Sequence, residues 1–342
     1  MKRIVYLLLV SVLVLSCKTE EKKDEKNELT VYTHRHYESD QELFKEFEEE
    51  SGIQLNIVNA SADELIQKMS LEGAESPADV LITVDAGRLY RAKSKDLLQS
   101  FSSEMIDSIV PSHLRDEDKQ WVSLTKRARV IAYAKDRVDS TQLSTYENLT
   151  SEDWDDKILV RSSSNIYNQS LLASIIANKG NEFAENWAQG VVENMARDPK
   201  GNDRDQVKAV ANGEGDLAIV NTYYIGKLLN SSDKDEVDAG NSVSIFFPNQ
   251  NTTGTHVNVS GIGVAKHASN KENAIQFIEF LLEEKAQNIF AGSNYEYPVN
   301  PNVEPADILK SWGDFKEDEL SLNELGKNNK EAVIIFDKVG WK

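Results

Sequence analysis

Four of the chain's 11 tyrosines share one local pattern: a β-rich run, a short polar turn, then the start of a helical repeat. Residues 29–33 lead into His34-Arg35-His36-Tyr37-Glu38-Ser39. Residues 158–161 lead into Ser162-Ser163-Ser164-Asn165-Ile166-Tyr167, with Ser164 or Asn165 as N-cap. Residues 217–220 lead into Asn221-Thr222-Tyr223-Tyr224, with Asn221 or Thr222 as N-cap. Each tyrosine is thus predicted at the C-terminal edge of a strand, where open α/β sheets hold their ligands. Adjacent residues in a strand point to opposite faces. In the first turn of a helix they diverge by only about 100°, so the Tyr223 and Tyr224 rings can reach one point. A free phenol titrates near pH ~10, and a bound cation would be needed to hold it as phenolate at neutral pH. Phenolate is a hard oxygen donor, suited to ferric iron and poorly suited to Cu(I). His36 would add an imidazole beside Tyr37. The competing reading is that tyrosines are ordinary residues at the edge of a core, and spacing alone leaves both open. His34, His113, His256 and His267 have no ligand-like pattern around them and read as structural or surface residues.

The elements that must position these side chains follow from periodicity. Residues 41–51 carry Leu43, Phe44 and Phe47 at helical spacing, with Asp40 as the expected N-cap and Gly52 as the terminator. A second strand is predicted at 54–58 and a helix at 62–72. A near-continuous apolar strand follows at 78–84, as in a sheet covered on both faces. This order predicts an α/β domain with a mostly parallel sheet. Further strands are expected at 127–133, 157–161, 217–220, 243–247 and 257–264. Further helices are expected up to 178, at 183–196 and 206–212, and as one long element at 271–290. Two such units without a long linker suggest two lobes facing a cleft.

The N-terminus reads differently. Lys2 and Arg3 precede an apolar run at 4–15 that is short for a membrane span. The run ends in Val14-Leu15-Ser16-Cys17, which resembles a bacterial lipoprotein signal, with residues 1–16 removed. Cys17 is the single cysteine of the 342 residues, so it reads as a lipid attachment point. The mature chain then has no disulfide and no thiolate metal site. Residues 17–28 form the lipidated cysteine and a charged tether. A formal net charge of −19 argues against nucleic acid or anionic lipid as the main partner.

Several stretches together resemble the periplasmic ferric-ion-binding proteins of bacterial ABC importers. They are ESGIQLNIV, SPADVLITVDAGRL, RARVIAY, VRSSSNIYNQSLLAS, ARDPKGNDRDQ, GEGDLAIVNTYYIG, FPNQNTTGTHVNVSGIGV and NYEYPVNP, spread over about residues 29–341. The resemblance implies a type II periplasmic binding protein fold: two α/β lobes joined by two crossover segments, with an interlobe cleft that closes on the ion. The lobes are placed at 29–130 plus 254–304 and at 131–253 plus 305–342, and the crossovers near 129–133 and 248–255. The resemblance implies Fe(III) as the transported ligand, with His36, Tyr37, Tyr167, Tyr223 and Tyr224 on the metal. Arg35, Arg127 and Arg129 are candidates for charge balance or for holding a synergistic anion, with a salt bridge in the hinge region as the alternative. The implied partner is an ABC permease, met by a monomer tethered through its lipid on the periplasmic side of a membrane.

Two other classes are weighed against iron capture. A same-fold protein for an anion would use backbone N–H groups and Ser or Arg, and residues 162–165 (SSSN) offer these. A polyamine site would use carboxylates and aromatic boxes. Enzyme motifs such as GxSxG, HExxH or a P-loop are absent from the sequence, so no catalysis is expected.

Overall fold

Among the described residues ten strands form the frame, and three of them lead into the turns that carry the tyrosines. In the computed structural model, which describes residues 27–342, they are β1 (Glu28–Thr33), β2 (Gln54–Asn59), β3 (Val80–Val84), β4 (Leu98–Gln99), β5 (Trp121–Ala134), β6 (Ile158–Leu159), β7 (Leu217–Asn221), β8 (Val243–Phe246), β9 (Val257–Ala265) and β10 (Tyr297–Pro298). The expected leader, Cys17 and most of the tether lie outside the described residues. Glu28, assigned to the tether, instead opens β1 and pairs with Gln54. Among the described residues no helix is long and apolar enough to cross a membrane.

The main strand order is β2-β1-β3-β9-β5-β7-β6. β1 pairs parallel with β2 and β3, which crossover connections through helices allow. The sheet is not mostly parallel, however. β9 runs antiparallel to β3 and β5, and β5 runs antiparallel to β7, β8 and β10. The local β-α-β rhythm sets direction only between strands that follow one another. β9 enters beside β3 from far along the chain, and that rhythm carries no information about it.

β5 is twice the expected length and serves both halves. Its first part pairs with β9 as far as Ala128, opposite Val257. From Arg129, opposite Asn221, it pairs with β7. The Arg129 N–H donates to His256 O at 2.9 Å where the strand changes partner, and the Tyr146 hydroxyl donates to Arg129 O and accepts from the His256 N–H.

The helices bury one face each. Helix Glu38–Ser51 turns Leu43, Phe44 and Phe47 inward, the Phe47 ring meeting Phe277 at 4.9 Å. Gly52 ends it at φ 69, a left-handed conformation that favours glycine. Its start differs from expectation. Tyr37 occupies the N-cap position, and Asp40 lies inside the first turn with its carboxylate turned to Arg35. The expected long helix at 271–290 is two, Lys271–Leu282 and Glu284–Gly292. Glu283 breaks it in an extended conformation. Buried amides take the carbonyls freed at the break: Gln287 donates to Leu281 O at 2.8 Å and Asn300 to Leu282 O at 2.9 Å.

The segment after residue 305 packs on elements from several parts of the chain. Helix Asn329–Val339 packs on helices Ile166–Lys179 and Asn181–Glu193, and helix Asn323–Lys327 also meets helix Ala86–Ser94. The Phe315 ring stacks on Phe247 at 4.4 Å and meets Tyr297 edge-on at 5.4 Å. Glu317 pairs with His113 at 3.0 Å and Lys126 at 2.6 Å, while Asp318 accepts from Asn178 at 2.8 Å.

Candidate metal centre

Each tyrosine stands where a strand hands over to a helix. Tyr37 follows β1 through a turn pinned by His34 N–H to Ile82 O and Arg35 N–H to the Thr33 hydroxyl, both 3.0 Å. Asn165 caps helix Ile166–Lys179 by accepting from the Tyr167 N–H at 3.0 Å. Tyr223 and Tyr224 are the second and third residues of helix Thr222–Leu229, with Asn221 at the N-cap position. That asparagine makes no side-chain cap there, because its amide oxygen accepts from Arg129 at 3.2 Å instead.

The phenols converge. The Tyr167 and Tyr223 hydroxyl oxygens lie 3.3 Å apart, and the Tyr223 and Tyr224 ring centroids 4.1 Å apart with planes 30° from parallel. Tyr37 comes from the other half, and its ring is 3.9 Å from the Lys227 ammonium, which also lies 5.5 Å from the Tyr223 ring. Burial pushes the Tyr37 phenol up to about 12, and the carboxylate of Glu296 adds to the effect. Burial also raises Tyr223 and Tyr224, helped by the neighbouring phenols. These phenols are therefore neutral at pH 7.

The three candidate arginines have separate fates. Arg35 is fully used: Nε and Nη2 hold Asp40 at 3.0 and 3.1 Å, and Nη1 holds Ser260 at 2.8 Å and Glu296 at 3.0 Å. Arg129 donates to Asp203 and Asn168, both at 2.7 Å. Arg127 bonds Ser260 at 2.6 Å and Glu296 through Nη2 alone. Its Nε and Nη1 are buried without a partner, and its guanidinium lies 5.7 Å from the Tyr223 ring. Of the three, Arg127 alone retains two unused N–H-bearing atoms. Glu296 would be raised by burial, but Arg127 and Arg35 outweigh this and hold it at about 2.

His36 is exposed and stacks on Tyr37 at 5.3 Å, its Nδ1 3.4 Å from His34 O. It hydrogen-bonds none of the tyrosines. Burial lowers His34 to about 4 and His256 to about 3, so both are neutral. Among the described residues no group of three or more His, Cys, Asp or Glu forms a conventional cation site. The convergent donors are phenols, with guanidinium and ammonium groups around them.

Two residues of this centre went unread in the sequence. Lys227 lies one helical turn beyond Tyr223 and Tyr224, and that i+3/i+4 spacing is the signal that could have found it. Glu296 has no such signal, since its partners Arg35 and Arg127 are 261 and 169 residues away.

Residues 32–288 match the family described as "Bacterial extracellular solute-binding protein". The chain belongs to this family. It is 48% identical over 318 residues to "Iron uptake protein A1" of Synechocystis sp. (strain ATCC 27184 / PCC 6803 / Kazusa), covering 93% of this chain and 88% of that protein. Among solved structures, the Trichodesmium protein IdiA (FutA), "in complex with iron and citrate ligands", superposes with a TM-score of 0.90 at 48% identity, over 92% of this chain and 100% of that one. The "Ferric binding protein from Campylobacter jejuni" superposes at 0.87 with 47% identity, over 92% and 100% of the two chains. The fold of this solute-binding protein is that of the type II periplasmic binding proteins, two α/β lobes around a cleft.

Proposed function

We propose that this solute-binding protein captures one ferric ion in the cleft between its halves and delivers it to the permease of an ABC importer, without catalysis. The observation that carries this reading is the convergence of Tyr167, Tyr223 and Tyr224, two of whose oxygens are already 3.3 Å apart, with Tyr37 from a third strand–helix junction sharing the Lys227 ammonium with Tyr223. Hard oxygen donors match a hard trivalent cation. The buried phenols lose their protons as the ion enters, and closure between lobes 29–130 plus 254–304 and 131–253 plus 305–342 brings Tyr37 onto the other three. His36, exposed beside Tyr37, takes the outer position, and its loss is expected to matter far less than that of any phenol. Arg127 balances phenolate charge and offers its unused N–H groups to a synergistic anion. Arg35 and Arg129 are committed to carboxylates and act through them. A monomer anchored by a lipid on Cys17 would reach the permease on the tether between the anchor and β1.

The decisive experiment is the visible spectrum with ferric salt. Wild type is expected to show a phenolate-to-iron charge-transfer band, and Tyr223→Phe/Tyr224→Phe, which keeps both rings, is expected to lose it. An unchanged band in the double variant defeats the assignment. Cys17→Ser is expected to abolish membrane attachment and leave the band intact.

A further inference from the structure

The segment ARDPKGNDRDQ, residues 196–206, supplies none of the proposed ligands, yet its Asp203 is tied to both turns that carry Tyr167, Tyr223 and Tyr224 through Arg129, Arg161 and the Asn221 N–H. Its turn is self-sufficient. Asn202 and Asp205 form a reciprocal capping box at the start of helix Asp203–Ala211, and Gln206 ties back to Lys200 O at 2.6 Å. Gly201, at φ +72, is held so close that a Cβ would meet the Asp205 carboxylate at 2.6 Å. Asp203 does no capping. Its side chain is fully buried and turned inward.

What it meets there is specific. Asp203 Oδ2 accepts from Arg129 Nη1 at 2.7 Å and from the Asn221 N–H at 2.8 Å, and Oδ1 accepts from Arg161 Nη1 at 3.3 Å. Asn221 is the residue from which helix Thr222–Leu229, with Tyr223 and Tyr224, departs. Arg129 carries the connection on through Nη2 to Asn168 at 2.7 Å, next to Tyr167. Asn168 in turn donates to Arg161 O at 2.9 Å and Ser162 O at 3.2 Å, fixing the turn before Tyr167. The Arg161 guanidinium lies 5.6 Å from the Tyr167 ring. One carboxylate thus joins both tyrosine-bearing turns, which are 56 residues apart in sequence.

We propose that Asp203 is the positioning residue of the cluster: it fixes the spacing of Tyr167, Tyr223 and Tyr224 through Arg129, Arg161 and the Asn221 N–H. This rests on the reading of the tyrosines as iron ligands. The physical case is that a buried carboxylate with three donors orients them sharply. Groups one step behind a metal ligand set its affinity by about 10–100-fold.

Asp203→Asn keeps the shape and the ability to accept from Arg129, but removes the charge that holds two guanidinium groups in place. The test titrates purified protein with ferric salt against nitrilotriacetate as competitor and records the band at saturating iron. Asp203→Asn is expected to bind about 10–100-fold more weakly, with a displaced band maximum. The band position at saturation reports the arrangement of phenolates on the ion, which a mere loss of stability would leave in place. Asp205→Ala is the control: it damages the same helix start through its cap, and is expected to keep wild-type affinity and band. Wild-type affinity and band in Asp203→Asn overturn the proposal, as does an equal displacement in Asp205→Ala. If Asp203→Asn fails to fold, Arg129→Gln/Asp203→Asn removes both charges of the buried pair, and wild-type behaviour there overturns the proposal equally. Tyr223→Phe/Tyr224→Phe, run alongside, separates the two ideas. If it keeps the band, the ligand reading fails. If it loses the band while Asp203→Asn keeps the wild-type one, only the positioning role fails.

Discussion

A buried phenol resists ionising, and here that resistance sets the conditions of release. Tyr37 is pushed up to about 12, and Tyr223 and Tyr224 are raised as well, so each phenolate formed on the ion expels a proton at neutral pH. Affinity must therefore rise with pH and fall with acid, steeply below roughly pH 6. Glu296 works in the opposite sense. Its folded value of about 2 lies below the ~4.3 of a free glutamate. Its stabilisation is fully present above the latter and disappears only as pH falls toward the former. The expected outcome is two separated acid transitions: the charge-transfer band bleaches first, and the far-UV circular dichroism follows at much lower pH. Coincident transitions would mean that iron leaves because the protein unfolds. Single Tyr→Phe changes at 37, 167, 223 and 224 should each cost more than the roughly 10–100-fold of a residue behind the ligands, measured in the same competition titration.

Among the elements, helix Thr222–Leu229 carries the sharpest constraint. A Cβ on Gly226 would lie 2.6 Å from the Cβ of Tyr295, whose neighbour Glu296 is bound to Arg35 and Arg127. Two effects of Gly226→Ala oppose each other. Alanine favours the helix by about 1 kcal/mol, while overpacking costs about 1–3 kcal/mol. The overpacking arises where the helix approaches Tyr295, so the wedge acts on the closeness of that contact. Thermal stability should shift little, and iron affinity should fall. An affinity equal to wild type would show that the contact does not bear on binding. This helix also marks how much the sequence disclosed. Its β-rich approach and the N-cap asparagine at 221 are local signals, as are Asn165 before Tyr167 and Gly52 after the first helix, and all were readable. The fate of Arg129 was not, because Asp203 and Asn168 stand 74 and 39 residues away. The break at Glu283 was equally hidden. Apolar spacing continues through it, and the amides that satisfy the broken turn belong to Gln287 and Asn300. The N-terminal shift of the first helix has a similar cause: Asp40 would cap well, but a buried arginine five residues earlier competes for it.

For the whole molecule, closure depends on contacts that cross the cleft. Lys227 lies 3.9 Å from the Tyr37 ring, and burial lowers its ammonium to about 8. A cation over an aromatic face contributes about 0.5–2 kcal/mol, enough to bias a balance between open and closed forms. Lys227→Met keeps the apolar stem and removes the charge. The iron-free variant is expected to spend more time open, with a larger radius of gyration in small-angle scattering. An unchanged radius would assign Lys227 to charge balance alone. β5 pairs with both β9 and β7, and the run around Phe315 and Glu317 touches Phe247, Tyr297, His113 and Lys126. The crossovers near 129–133 and 248–255 came with the family resemblance, whereas the run around Phe315 and Glu317 has little regular structure and no periodic signal.

Because β5 gives one stretch to β9 and the next to β7 without a break, neither half owns a complete sheet. A gene fragment beginning after this strand would leave β7 and β9 with unpaired edges, a ready template for aggregation. The halves are therefore expected to fold and melt together. Calorimetry of the intact protein should accordingly record a single cooperative transition, and two resolved peaks would contradict a shared strand.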